Sequence, residues 1–305
     1  MNDKSREQDD NMNKRIVILM AIALLEPMTG CVKVQFQNFY HQGQTRQYIY
    51  YSPENLKAMA PLVFVLHGYT DDASAIQEYS GMNAMADQNG FAVCYPRGTI
   101  DSRGNRFWNV GYDFHAGVTV DDVGFLIDLA QYLQKQHSLS TENTFATGMS
   151  NGGEMCYLLA CKASSTFRAV APVAGMMLQT IFSNCHPSTA IPIFEIHGTH
   201  DKINFFDGDI DNNEGWGAYP GIPFTIDYWA QLNVCDHLQI DTLPDIQTSD
   251  SSYVISEKHI NTANGNQVWL FRIVNGGHDW PGSSGNMDIN TSREIWTFFN
   301  QYVSQ

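Results

Sequence analysis

The heptapeptide Thr147-Gly148-Met149-Ser150-Asn151-Gly152-Gly153 joins a short strand-like run, Asn143 to Thr147, to an apolar run from Glu154 to Lys162 that lacks glycine and proline, as a buried helix should. A strand that passes straight into a helix must turn sharply, and a side chain at the tip of that turn needs neighbours without bulk. Gly148 and Gly152, two residues before and two after Ser150, meet that need. The bland alternative is a glycine-rich strand-to-helix turn that happens to carry a solvent-exposed serine.

The rest of the chain continues the alternation. VKVQFQNFY and QYIYY, between Val32 and Ser52, have the β-branched and aromatic content of an antiparallel pair, which predicts an N-terminal β-meander. Leu62 to Leu66 (LVFVL) is continuously apolar and suits a strand buried on both faces. A helical segment follows over Met82 to Asn89, then strand Phe91 to Tyr95 and a long loop from Pro96 to Gly117. Val120 to His137 has helical spacing with Val123, Leu126, Ile127, Ala130 and Leu133 on one face; Thr119 is the expected N-cap, and Asp121 and Asp122 suit the first turn. Strands are expected at Ala169 to Val173, Ile191 to Ile196, Tyr253 to Glu257 and Val268 to Ile273, with helices at Thr225 to Leu232 and Ile289 to Tyr302. Strands alternating with helices predict an α/β protein whose mostly parallel central sheet carries helices on both faces. Nothing divides residues 32–305, which read as one domain.

The 305 residues are 43% apolar and 12% aromatic, enough for a sizeable core. Seventeen Lys and Arg against 32 Asp and Glu give a net charge of −15, which argues against a nucleic-acid partner or an anionic membrane surface. Residues 1–31 differ from the remainder: Lys14 and Arg15 precede an apolar run from Ile16 to Leu25, too short for a transmembrane helix. Met28-Thr29-Gly30-Cys31 resembles a bacterial lipoprotein cleavage box, apart from Met28 where Leu is usual. The expectation is an exported bacterial protein, periplasmic, extracellular or tethered to the outer membrane through a lipidated Cys31. Of the other cysteines, Cys94, Cys156 and Cys161 sit in strand-like or helix-like runs as small buried hydrophobes. Cys185 and Cys235 occupy loop-like or helix-end contexts, where export would make them the expected disulfide. No Cys-x-x-Cys or zinc spacing is present, so no metal site is expected. Asp207, Asp209 and Asp211 alternate as in a calcium loop, but the sixth position lacks glycine and the twelfth is Ala218.

A serine nucleophile needs a base within reach and an acid to orient that base. His278, flanked by Gly276-Gly277 and Asp279-Trp280-Pro281-Gly282, lies between the last strand and the last helix, where a glycine-rich loop can hold an imidazole over a neighbouring turn. Asp201 follows the strand IPIFEI and is the expected acid; His67 and His197, at strand ends beside glycines, read as structural. Ser150, Asp201 and His278 thus fall in the order nucleophile, acid, base. The backbone amides of Asn151, at the start of the following helix, and Tyr69, in the loop after LVFVL, are the expected oxyanion donors. Trp108, Trp216, Tyr219 and Trp280, with Phe206, are candidates for an aromatic platform that binds substrate; simple packing is the competing reading.

The segments LHGYTDDAS, FAVCYPRG, FWN, VDDVGFL, GMSNGGEM, APVAG, IHGTHD and GGHDWPG, taken in order, resemble the exported poly(3-hydroxybutyrate) depolymerase and feruloyl esterase group of α/β-hydrolases, related to carbohydrate esterase family 1. The resemblance extends from about Tyr48 to the C-terminus. It implies an α/β-hydrolase fold, catalytic roles for Ser150, Asp201 and His278, and carboxylic-ester hydrolysis without a cofactor. The implied substrates are feruloyl or acetyl esters on plant cell-wall polysaccharides, with aliphatic polyesters as the alternative. Members of the group often pair cysteines flanking the acid-bearing strand, which matches Cys185 and Cys235. From another class, a non-catalytic carbohydrate-binding protein could retain the same fold. Departures from the group cluster in residues 203–223, beside the expected substrate pocket.

Overall fold

The computed structural model describes residues 35–304, so the leader expected over residues 1–31, with Cys31, lies outside the described residues. A ten-stranded sheet is built from β1 (Gln37–His41), β2 (Gln44–Tyr51), β3 (Leu62–Leu66), β4 (Ala92–Arg97), β5 (Thr144–Met149), β6 (Ala169–Val173), β7 (Ile193–Gly198), β8 (His237–Thr242), β9 (Tyr253–Ile260) and β10 (Gln267–Val274). Their spatial order is β1-β2-β4-β3-β5-β6-β7-β10-β9-β8. The run from β4 through β10 is parallel, while β1-β2 at one edge and β9-β8 at the other are antiparallel.

Side-chain alternation explains why LVFVL has no polar residue. Leu62, Phe64 and Leu66 point into the core under α3 (Asp122–His137), α4 (Asn151–Lys162) and α6 (Ile222–Leu232). Val63 and Val65 point into the opposite core, under α1 (Ala73–Ser80), α2 (Met82–Asn89) and α7 (Thr291–Asn300). A strand with helices on both faces can expose nothing, and all five residues are fully buried. By contrast β8 is an edge strand exposed along its whole length, and its alternation is only two apolar residues long, Leu238 and Ile240, both exposed.

Several local expectations are corrected. The N-cap of α3 is Asp121, not Thr119: the Asp121 carboxylate accepts from the Gly124 amide at 2.8 Å. Asp122 is buried and takes the Arg46 guanidinium at 2.7 Å and the Asn109 amide at 2.8 Å, tying α3 to β2 and to the long loop. The disulfide expected between Cys185 and Cys235 is instead Cys161–Cys185, Cα atoms 4.7 Å apart. The last turn of α4 brings Cys161 against the residues that follow α5 (Gln179–Ser183), whereas Cys235, after α6, is half-buried and unpaired among the described residues. Closing a loop with a sequence separation of 24 stabilises the fold by about 3 kcal/mol in the chain-entropy picture. Among the described residues no helix is long and apolar enough to cross a membrane.

Candidate active site

In an open α/β sheet, ligands sit at the carboxyl ends of the strands where the winding direction reverses. Here that point lies between β3, whose other neighbour is β4, and β5, which leads on to β6 and β7. The carboxyl ends of β3 and β5 carry the Tyr69 loop and Ser150, respectively. Asp201 and His278 follow β7 and β10 on the same edge, because all these strands run parallel.

Ser150 adopts φ 55° and ψ −121°, a conformation that costs a non-glycine residue about 1–3 kcal/mol and is held by what surrounds it. Its amide donates to Val173 at 2.9 Å, and its carbonyl accepts from the Glu154 amide at 2.9 Å. The flanking glycines are required by contact with β3. A Cβ on Gly148 would lie 2.7 Å from the carbonyl oxygen of Leu66, and one on Gly152 only 2.3 Å from it. Since that obstacle is backbone, it cannot swing aside. Gly152→Ala is therefore expected to destabilise the protein by about 1–3 kcal/mol. By displacing the turn it should also lower kcat/KM about a hundredfold. Urea unfolding and esterase assays on the same preparation check both effects.

The expected acid and base are brought together. His278 Nδ1 lies 2.7 Å from Asp201 Oδ2, with the His278 side chain 20% exposed and the Asp201 side chain fully buried. The other carboxylate oxygen, Oδ1, accepts from the amides of Ile203 at 2.8 Å and Asn204 at 3.0 Å. Burial alone would raise the Asp201 pKa, but the His278 hydrogen bond, the charges of His197 and His278 and these amides hold it below the ordinary carboxylate value. Among the described residues Ser150 Oγ makes no hydrogen bond, so the link to His278 is the one part of the constellation left open.

Opposite the serine, a Cβ placed on Gly68 would be 3.6 Å from Ser150 Cβ, so the loop after β3 packs directly on the turn. The chain reverses there through Thr70, at φ 69°, with the Asp71 amide donating to Gly68 at 3.2 Å and the Thr70 amide to Arg106 at 2.8 Å. Among the described residues the amides of Tyr69 and Asn151 donate to no protein group, leaving two N–H donors beside Ser150. The Tyr69 side chain anchors this loop: its hydroxyl donates to Asp101 at 2.8 Å and accepts from Asn105 at 2.8 Å, and the same Asp101 oxygen meets His115 Nε2 at 3.0 Å.

The aromatic candidates divide. Trp108, Tyr219 and Trp280 are fully buried and are corrected from substrate platform to brace. Trp108 exchanges backbone hydrogen bonds with the Asn151 side chain at 2.7 and 3.1 Å and donates its indole N–H to His67 at 3.0 Å, fixing the serine turn. The Tyr219 hydroxyl accepts from the Phe205 amide at 3.0 Å beside the acid loop. The Trp280 amide donates to the Tyr79 hydroxyl at 3.0 Å next to His278. Trp216 is only half-buried and lies 5.9 Å, centroid to centroid, from Tyr69 and 5.6 Å from Phe114, forming an aromatic wall next to the Tyr69 loop. Phe206 is buried against His197. In the acidic loop, Asp209 is occupied by the amides of Asn213 and Glu214, each at 2.9 Å, and among the described residues no cluster of His, Cys, Asp and Glu could hold a metal ion.

His67 is a structural residue: it is buried, its Nε2 accepts from the Gly98 amide at 3.0 Å, and its Nδ1 faces the Gly68 carbonyl at 2.8 Å. Burial holds its pKa down at about 4, so it is neutral. Behind the site lies a group of buried acids not among the residues expected from the sequence. Glu154 accepts from Asn204 Nδ2 at 3.2 Å and Asn151 Nδ2 at 3.4 Å, and burial pushes its pKa up to about 7. Glu195 sits inside β7 and meets His197. Single acids within the otherwise apolar runs IPIFEIHG and EMCYLLACK were the signal available.

A strained serine at a strand-to-helix turn, a carboxylate bonded to a histidine and two amides unpaired among the described residues lie together on an α/β-hydrolase fold. Residues 46–245 match the esterase PHB depolymerase family, and the chain belongs to it. A bifunctional acetylxylan esterase/xylanase of Neocallimastix patriciarum is 28% identical over 53% of this chain, which spans 22% of that protein. The "Probable feruloyl esterase C" of Aspergillus oryzae is 28% identical over 74% of this chain and 83% of its own length. A poly(3-hydroxyalkanoate) depolymerase C of Paucimonas lemoignei is 27% identical over 82% of this chain and 62% of its own. Among solved structures, the acetyl xylan esterase from Aspergillus awamori superposes with a TM-score of 0.61 at 15% identity, covering 87% of this chain and 99% of that one, which establishes the shared fold.

Proposed function

We propose that this esterase works through an acyl-enzyme on Ser150 and acts on feruloyl or acetyl esters carried by plant cell-wall polysaccharides. His278 takes the Ser150 proton as Oγ attacks the ester carbonyl, the amides of Tyr69 and Asn151 hold the oxyanion, and His278 returns the proton to the leaving alcohol. Water then repeats the cycle on the acyl-enzyme. The observation that carries this reading is the buried Asp201 carboxylate 2.7 Å from His278 Nδ1, on the same edge of the sheet as a strained serine flanked by two free amides. Hydrogen bonds to a nucleophile are often long without substrate and tighten when it binds, which suits the open Ser150 link.

The aromatic wall of Trp216, Tyr69 and Phe114 supports a ring-bearing or sugar-linked substrate. The depolymerase relative, matched over 82% of this chain, favours a second reading in which the acyl chain is an aliphatic polyester. Export is part of the proposal, with Cys31 the residue that would be lipidated. The Cys161–Cys185 disulfide supports an oxidising compartment. A fluorophosphonate probe is expected to label Ser150, read as one modified peptide by mass spectrometry. An unlabelled protein would favour a carbohydrate-binding role without catalysis.

A further inference from the structure

Asp201 is flanked by two histidines. His278 approaches Oδ2 from the solvent side, and His197 Nε2 lies 3.4 Å from the same oxygen inside the protein, both partners fully buried. The environment of His197 consists of acceptors. Its Nε2 is 2.8 Å from the Asn204 carbonyl and its Nδ1 is 2.8 Å from Glu195 Oε1. A carbonyl only accepts, so Nε2 must carry a proton. Glu195 in turn accepts from the Tyr157 hydroxyl at 2.9 Å and from the Gly175 amide at 3.3 Å; burial pushes its pKa up, but these two donors and His197 all oppose that and favour the carboxylate. Nδ1 is then protonated as well, and the ring is an imidazolium between two carboxylates.

We propose that His197 is a positioning residue for ester hydrolysis: an imidazolium, held by Glu195, that fixes the Asp201 carboxylate and moderates the negative charge presented to His278. The proposal rests on the roles given above to Asp201 and His278. Burial by itself would lower the His197 pKa, but the Glu195 hydrogen bond and charge, together with Asp201, raise it. The other groups around the pair are consistent with this charge state. Glu154 on α4 is an additional acid near Glu195, and Arg272, the register partner of His197 on β10, is ion-paired with Glu257. Asn204 also ties the cluster to the serine helix by donating to Glu154 at 3.2 Å and to Ala174 at 2.7 Å, so Asp201 is held from the nucleophile side too.

Glu195→Gln is the informative substitution because it keeps the shape and removes the charge that holds the imidazolium: with its NH2 donating to His197 Nδ1 and its oxygen still accepting from Tyr157, it gives up only the 3.3 Å bond from the Gly175 amide, which shares Oε1. The ring then becomes neutral. With its cation gone, Asp201 stabilises a protonated His278 more strongly, and the acid limb of the kcat/KM profile for p-nitrophenyl acetate is expected to move to higher pH by about one unit. KM should be unchanged, and so should the plateau rate within about threefold. Loss of packing alone would lower the plateau without moving the limb. The unmutated protein supplies the second measurement: 15N spectra, assigned by backbone-to-ring correlation, are expected to show both His197 ring nitrogens protonated at pH 8. A neutral His197 ring, or a folded Glu195→Gln variant with an unmoved acid limb, overturns the inference. If Glu195→Gln does not fold, the ring spectrum decides. Wild-type turnover in Ser150→Ala would instead sink the underlying assignment, whatever state His197 is in.

Discussion

Ser150→Ala is expected to lower kcat for p-nitrophenyl acetate by about five to six orders of magnitude, with KM and the unfolding midpoint little changed. The size follows from the role: without Oγ there is no nucleophile to acylate, and what survives is the rate a bound water achieves beside an intact oxyanion site. Stability should hold because Ser150 Oγ makes no hydrogen bond among the described residues. The strain at φ 55° belongs to the backbone, and alanine inherits it unchanged. Turnover within tenfold of the unmutated protein would place the chemistry elsewhere. A collapse of the unfolding midpoint would show instead that the hydroxyl holds the turn together.

The serine turn and the order of the candidate triad were legible because each rests on a backbone requirement that leaves a residue-type signature. Gly148 and Gly152 are present because β3 runs against the turn, and strand LVFVL is uniformly apolar because helices cover both its faces. What could not be read depends on where side chains end up in three dimensions. A tryptophan in a loop has the same letter whether it faces substrate or plugs the interior. Trp108, Tyr219 and Trp280 turn out to plug the three turns that carry Ser150, Asp201 and His278. Cysteine pairing failed for a related reason: Cys161 reads as an apolar helix residue, and only the meeting of α4 with the end of α5 makes it a partner for Cys185. β8 is hard to read because its alternation is confined to Leu238 and Ile240 and no buried face extends it. His197 was identified as structural from its place beside a glycine at a strand end, and its contact with Asp201 gives that structural position a consequence for the chemistry.

Asp201→Asn is expected to lower kcat about ten-thousandfold, and the hydrogen bonds around the carboxylate show why an isosteric change should be so damaging. Oδ1 faces the amide N–H groups of Ile203 and Asn204, so an asparagine must put its oxygen there to preserve the turn. Its NH2 group then takes the place of Oδ2, toward His278 Nδ1. Two donors cannot face each other, so the imidazole must shift its proton to Nε2 and accept from the amide through Nδ1. In that tautomer the nitrogen meant for Ser150 carries a proton and cannot take another. The same NH2 group meets His197 Nε2–H at the 3.4 Å contact, a second pair of opposed donors with no tautomer to relieve it. Asp201→Asn should therefore lose stability as well as activity, unlike Ser150→Ala. A variant that keeps more than a tenth of the unmutated kcat would show that His278 needs no carboxylate to hold its tautomer, and that the acid of the triad lies elsewhere.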